Sequence, residues 1–265
     1  MLILGLPAAI FVAAFFLLPM AKLFAVGASG SMGLAAYAAI LIEPGYLNAL
    51  VSTLGVATAT TFATLLIAGI AGLFLERNRF FGREVLIAIL TLPLAFPGVV
   101  IGFMVIMLGG RLGLIGQLTQ ALWGEKLVFA YSMAGLFMGY VYFSIPRVIL
   151  TVMASAEKLD PKLEEAARSL GASSWRVVWD VIVPGLMPAF ISAGAICFAT
   201  AVGAFGTAFT LAARINVLPM VIYTEFTLSA NIAMAAALSF VLGLVTWGVL
   251  ALARTAAGST VAAAG

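Results

Sequence analysis

The chain carries few residues able to do chemistry. The densest group lies in EEAARSLGASSWRVVWDVIVPGLMP, Glu164 to Pro188, between two long apolar runs. Glu164, Glu165, Arg168 and Arg176 fall within its first thirteen positions. Glu164 and Glu165 occupy the first turns of a predicted helix, KLEEAARSL, where the backbone dipole favours negative charge. Glu164 and Arg168 are four apart and can pair along one face. Ala166 and Ala167 keep part of the helix slim, so that another backbone or side chain can approach closely. Gly171 ends the helix, and Ser173 or Ser174 can cap a second one. There Trp175, Val178, Trp179 and Ile182 form a stripe, with Arg176 and Asp180 elsewhere, as in an amphipathic helix lying on a membrane surface. Pro184 and Pro188 mark the turn into the next apolar run. Such a unit is either a connector between spans or a docking knob for a cytoplasmic partner, and the ordered stripe favours docking.

The remaining candidates are scattered. Histidine is absent, which removes imidazole acid–base chemistry and imidazole metal ligation. The one cysteine, Cys197, sits inside an apolar run, with no second thiol for a disulfide and no cluster that would make a metal site. No G-x-x-x-x-G-K-[ST] loop is present, so the chain does not hold ATP by that device. Arg147 follows Pro146 inside an apolar run, where a charge is costly unless it snorkels, pairs or serves a pathway. Arg214, Tyr223 and Glu225 cluster near the end of another run. Each can equally be an ordinary loop charge or, for Tyr223, an interfacial aromatic.

The elements that must position these residues follow from composition. Of 265 residues, 64% are hydrophobic and 9% charged, against about 25% charged in an ordinary soluble domain. There is too little polar surface to cover a water-soluble core, so the class is integral membrane protein. The net charge of +3 does not point to nucleic acid, because the basic residues lie mostly in short loops without interleaved aromatics. Six runs, near 2–24, 51–74, 84–108, 128–152, 184–212 and 232–254, can cross a hydrocarbon layer as helices. They lack the alternation of a membrane barrel. The first reads as a retained span, having no basic flank in front of it. With both termini in the cytoplasm, nine Lys and Arg residues fall inside and four outside, the bias expected of the inner face. Pro93 and Pro97 should bend the third span, as hinges or as the prolines that membrane helices commonly carry. Gly98/Gly102 and Gly135/Gly139 allow close helix contact. The segments 25–50 and 109–127 have room for short surface helices.

One pattern resembles a known family. Glu165-Ala166-Ala167, three residues, Gly171, nine residues and Val181-Ile182-Val183-Pro184 resembles the EAA loop of inner-membrane permeases of bacterial ABC importers. The usual form has isoleucine and leucine where Val181 and Val183 stand. Asp160-Pro161 ahead of the helix also looks like this family. The resemblance covers essentially the whole chain as one permease domain, most securely 51–254, with the coupling loop at about 157–183. It implies an all-α fold of six transmembrane helices, the type I importer (MetI-like) fold, in the bacterial inner membrane. It also implies a coupling helix, with Glu165, Ala166, Ala167, Gly171 and Pro184 carried over from the motif and Glu164 and Arg168 added from helix geometry. The implied partners are a second permease chain, two ATP-binding subunits that hold ATP and Mg, an extracytoplasmic solute-binding protein and the lipid bilayer. The chain itself would be non-catalytic and need no cofactor.

The stretch GAFGTAFTLAARINVLPMVIYTEF resembles permeases for polyamines, aminoalkylphosphonates, ferric iron, and sulfate or molybdate, through Leu218-Pro219 and Ile222-Tyr223. A polyamine or aminoalkylphosphonate is the favoured cargo. Gly203, Gly206, Tyr223 and Glu225 are candidates for the path or its mouth, and Pro93 and Pro97 for hinges. A secondary transporter would more often show two related halves or mid-membrane ionisable groups. A scaffold would leave the Glu165 to Pro184 pattern unexplained.

Overall fold

The computed structural model describes residues 2–211 and 215–257, which are helical with short connections. Among them six helical stretches are long and apolar enough to cross a membrane: α1 (Leu6–Gly27), α3 (Pro44–Arg77), Gly98–Trp123, α7 (Met133–Ala156), α9 (Ser174–Gly203) and a last one within α12 (Ile232–Ala257). The third comprises α5 (Gly98–Gly109) and α6 (Leu114–Trp123), interrupted by a turn at 110–113. Shorter helices are α2 (Ala35–Ile42), α4 (Arg83–Thr91), α8 (Pro161–Ser169), α10 (Gly206–Leu211) and α11 (Leu218–Thr227). Helices satisfy every backbone group within one segment, which a lipid environment demands.

The chain divides into two units. One comprises Met1–Leu54 and Asn216–Trp247. Its core gathers Ile40, Leu50, Leu218, Met234 and Leu238 around small residues such as Ala36, Ala49 and Ala237. Thr53, buried in α3, accepts the first backbone N–H of α11, that of Leu218, at 2.7 Å. Phe24 and Tyr37 stack, Phe240 meets them tilted and edge-on, and the Tyr37 hydroxyl donates to the Phe24 carbonyl at 2.7 Å.

The other unit comprises Gly55–Ile215 and Gly248–Gly265. Its core is built on α3, α7 and α9, from Leu75, Val148, Ile149, Val152, Val177, Ile182, Leu186 and Cys197. Gly72 brings α3 against α7: a β-carbon there would stand 3.0 Å from the Ile149 carbonyl oxygen. The wide apolar exposure of α1, including Phe11, Phe15, Phe16 and Leu18, suits a lipid-facing span.

Three boundaries differ from the sequence expectation. The expected run 84–108 is not one helix: α4 ends at Thr91, a 3-10 turn covers Leu92–Ala95, and extended Pro97 precedes α5. Prolines cannot donate to the preceding turn, and here two within five residues break the helix. The expected run 184–212 is also two helices, because α9 stops at Gly203 and α10 restarts at Gly206. Finally, 174–183 is not a separate surface helix. It is the first part of α9, continuous with the fifth span.

That continuity has a physical cause. A proline ring collides with the carbonyl four residues back, yet Pro184 lies inside α9. A π-turn at Val178–Ile182 precedes it, in which the Val183 N–H bonds to the Val178 carbonyl five residues back. The wider turn moves the obstructing carbonyl aside. The same device occurs in the first span, where a π-turn at Ala13–Leu17 precedes Pro19.

Candidate functional site

The loop between α7 and α9 folds into a short rigid helix, α8. Asp160 caps its start, its Oδ1 accepting the Lys162 N–H at 3.0 Å, and Pro161 takes the first helical position. Its end is a Schellman turn. The Ala172 N–H reaches the Ala167 carbonyl at 3.0 Å and the Gly171 N–H reaches that of Arg168 at 2.9 Å. Gly171 has φ +83°, the left-handed conformation that this turn requires and that glycine adopts without strain. Ser173 caps α9, accepting the Arg176 N–H at 3.4 Å.

Two contacts fix α8 on the bundle. Ala167 packs on the core of α3, α7 and α9 together with Leu159 and Ala172. Glu164 is gripped by Arg77 at the end of α3: Nη1 donates to Oε2 at 2.8 Å, and Nη2 donates to Oε1. The expected pairing of Glu164 with Arg168 is therefore replaced by a tertiary one, since Arg77 offers two parallel donors to one carboxylate. The surface left open around the helix includes Glu165, Ala166 and Arg168. It also carries Leu163, 57% exposed, and Leu170, 89% exposed. Leu163 and Leu170 are seven apart and so share a face, a spacing visible in KLEEAARSL that the motif-based reading passed over. Arg77 was missed for a different reason: its partner lies 87 positions away.

The stripe after Gly171 is arranged differently from the expectation. Val177 and Ile182 are buried, whereas Trp175 and Trp179 are 70% and 52% exposed and meet edge to face, their centroids 5.6 Å apart. The exposed tryptophans lie on the outside of the first turns of α9, and Pro184 lies within that helix instead of at a turn into it.

The path candidates fall in different settings. Gly203 and Gly206 flank the break between α9 and α10. Gly203 borders open space, whereas a β-carbon on Gly206 would stand 3.1 Å from the Val99 nitrogen. Gly206 is thus a packing residue of α10 on α5. Thr207 donates from Oγ1 to the Gly98 carbonyl at 2.9 Å. Gly102 and Gly139 also lie against α10, facing Thr210 and Thr207. Gly135 lies against its own N-terminal turn, at Ala130. Pro93 is buried in the 3-10 turn. In the other unit, Glu225 accepts the Tyr46 hydroxyl at 3.0 Å, and Tyr223 is half-buried on α11. Arg214 lies outside the described residues.

Arg147 occupies the middle of α7. Its Nη1 donates to Thr200 Oγ1 on α9 at 3.0 Å, and its guanidinium carbon lies 5.8 Å from the centroid of the Phe143 ring.

Comparison with known proteins agrees with this architecture. Residues 64–257 match the family described as binding-protein-dependent transport system inner membrane component. The molybdenum transport system permease protein ModB of Haemophilus influenzae is 31% identical over 182 residues, covering 67% of this chain and 79% of that protein. PhnU of Salmonella typhi, assigned by its name to 2-aminoethylphosphonate transport, is 28% identical over 238 residues, covering 88% and 82%. A chain from the crystal structure of a bacterial alginate ABC transporter, in complex with an alginate pentasaccharide-bound periplasmic protein, superposes with a TM-score of 0.76. That match covers 94% of this chain and 90% of the other at 17% identity, a likeness of fold. The six-span helical bundle and the family match together make this chain a multi-pass inner-membrane protein, and it belongs to the binding-protein-dependent transport system inner membrane components, the permease subunits of ABC importers.

Proposed function

We propose that α8 is the docking element through which ATPase subunits drive this permease. The observation that carries the reading is a helix capped at both ends, held to the bundle by Ala167 and the Arg77–Glu164 pair, with Glu165, Arg168, Leu163 and Leu170 left exposed. A rigid element of this kind transmits displacement, and α9 begins five residues after α8 ends. The assembly we infer has two permease chains, two ATP-binding subunits holding ATP and Mg, and an extracytoplasmic binding protein, with both termini of this chain in the cytoplasm. ATP binding draws the ATPases together, the α8 helices move with them, and the path opens outward; hydrolysis resets it. The breaks at Pro93–Pro97 and Gly203–Gly206 are where the bundle bends. The chain supplies the path and the partner subunits supply the hydrolysis.

The cargo we propose is an aminoalkylphosphonate or a small oxyanion such as molybdate or sulfate. The names of ModB and PhnU support this reading. A polyamine is the second reading, favoured by the Glu225 carboxylate held by Tyr46.

Co-purification tests the coupling assignment. Glu165→Lys should lower recovery of the ATPase subunit with the tagged permease several-fold while membrane insertion is unchanged. Full recovery together with full uptake would overturn it.

A further inference from the structure

Arg147 is a charged residue in the body of a span. It stands nine residues before Ala156, the nearer end of α7, and fourteen after Met133. A snorkelling side chain would reach toward the nearer end. This one does the opposite: its guanidinium lies back over Phe143, one turn toward Met133, which carries the charge to the midpoint of the helix. Helix geometry favours that direction, because side chains lean toward the N-terminus of their own helix.

The guanidinium is incompletely satisfied there. Thr200 Oγ1 accepts one N–H, its own hydrogen being donated to the Ile196 carbonyl at 2.7 Å. Phe143 offers a ring face. Among the described residues no carboxylate forms an ion pair with Arg147. A guanidinium has five donors, so most of them remain for another partner. A mid-span cation without a counter-charge is costly and marks a substrate or ion pathway. Gly203, one turn along α9 from Thr200, is exposed, and a methyl group there would meet no atom within 4 Å.

We infer that Arg147, positioned by Thr200 and Phe143, binds the anionic head of the transported solute, a tetrahedral oxyanion or a phosphonate. Its planar fork matches two oxygens of such a group. This rests on the permease reading and names the charge of the cargo, which the docking helix does not address.

The test uses the whole importer, with permeases, ATPases and binding protein, in proteoliposomes. The probes are molybdate, sulfate, 2-aminoethylphosphonate and spermidine. Wild type should import at least one of the three anions, and that anion should raise the thermal unfolding midpoint of the permease. Arg147→Gln should lower its uptake tenfold or more and abolish the thermal shift. Arg147→Lys should retain import with a raised KM, and Thr200→Val should lose about threefold. An Arg147→Gln importer with wild-type KM and thermal shift overturns the inference, as does a wild type that imports spermidine and none of the anions. Failure of the ATPase to co-purify with wild type would instead sink the importer reading. The anion-dependent thermal shift of the permease and its Gln variant still decides the role of Arg147 in that case.

Discussion

Arg77, the last residue of α3, holds Glu164 of α8 by two hydrogen bonds across 87 positions of sequence. The side chains are 33% and 15% exposed, so the pair is only partly screened by solvent. Reversing either charge, by Arg77→Glu or Glu164→Arg, should loosen α8 and lower ATP-driven uptake. Combining them should restore most of it. A double-mutant cycle on thermal stability should give a coupling of about 1 kcal/mol, at the upper end for pairs not fully buried. Additive losses would show that the pair does not hold the helix.

The caps of α8 make a second prediction. A β-carbon on Gly171 would meet nothing within 4 Å, so the cost of substitution there is conformational and not steric. Gly171→Val should cost about 1–2 kcal/mol of local stability, whereas Gly171→Asn should cost less because asparagine tolerates the left-handed region. Asp160→Ala should cost about 1 kcal/mol. Amide hydrogen exchange across 161–172 would show the order Val, then Ala at 160, then Asn, from fastest to slowest. Equal protection in Gly171→Val and wild type would contradict the Schellman turn.

A third prediction concerns the packing of α10. Thr207 is buried, and its hydroxyl is bonded to the Gly98 carbonyl at the start of α5. Thr207→Val keeps the shape and removes the bond, a loss of about 1 kcal/mol. Gly102→Leu would drive a side chain into Thr210 and should cost about 1–3 kcal/mol. Thermal unfolding in detergent reads both, with the leucine variant the less stable of the two. A Gly102→Leu chain as stable as wild type would place α10 elsewhere.

Much of this was legible in the sequence because run length and polarity report burial in lipid. The number of spans follows from that alone, but the third lies at Gly98–Trp123, taking in most of the segment 109–127 expected at the surface, and the second loop helix is the start of the fifth span. The breaks did not, since LTLPLAFPGVV and AVGAFGTAF are as apolar as the helices around them, and hydropathy carries no information about backbone direction. Pro93 and Pro97 gave a bend without its extent. Pro184 misled: a proline after an amphipathic stretch reads as a boundary, and the π-turn that carries the helix past it leaves no compositional trace. In α8 and its cap, Glu165, Ala166, Ala167 and Gly171 were visible through their pattern. Arg77 was invisible because a tertiary ion pair has no local spacing to reveal it.

Cys197 is the one cysteine in the chain and is buried, so Cys197→Ala gives a background for site-directed cross-linking. In that background, Glu165→Cys and Leu170→Cys, treated in the assembled importer with a short reagent carrying a maleimide for the thiol and an activated ester for lysine amines, should each yield a covalent adduct between permease and ATPase. An exposed control at Trp123→Cys should yield none. Adducts absent from both α8 positions, in an importer that still hydrolyses ATP in response to its loaded binding protein, would contradict docking through α8.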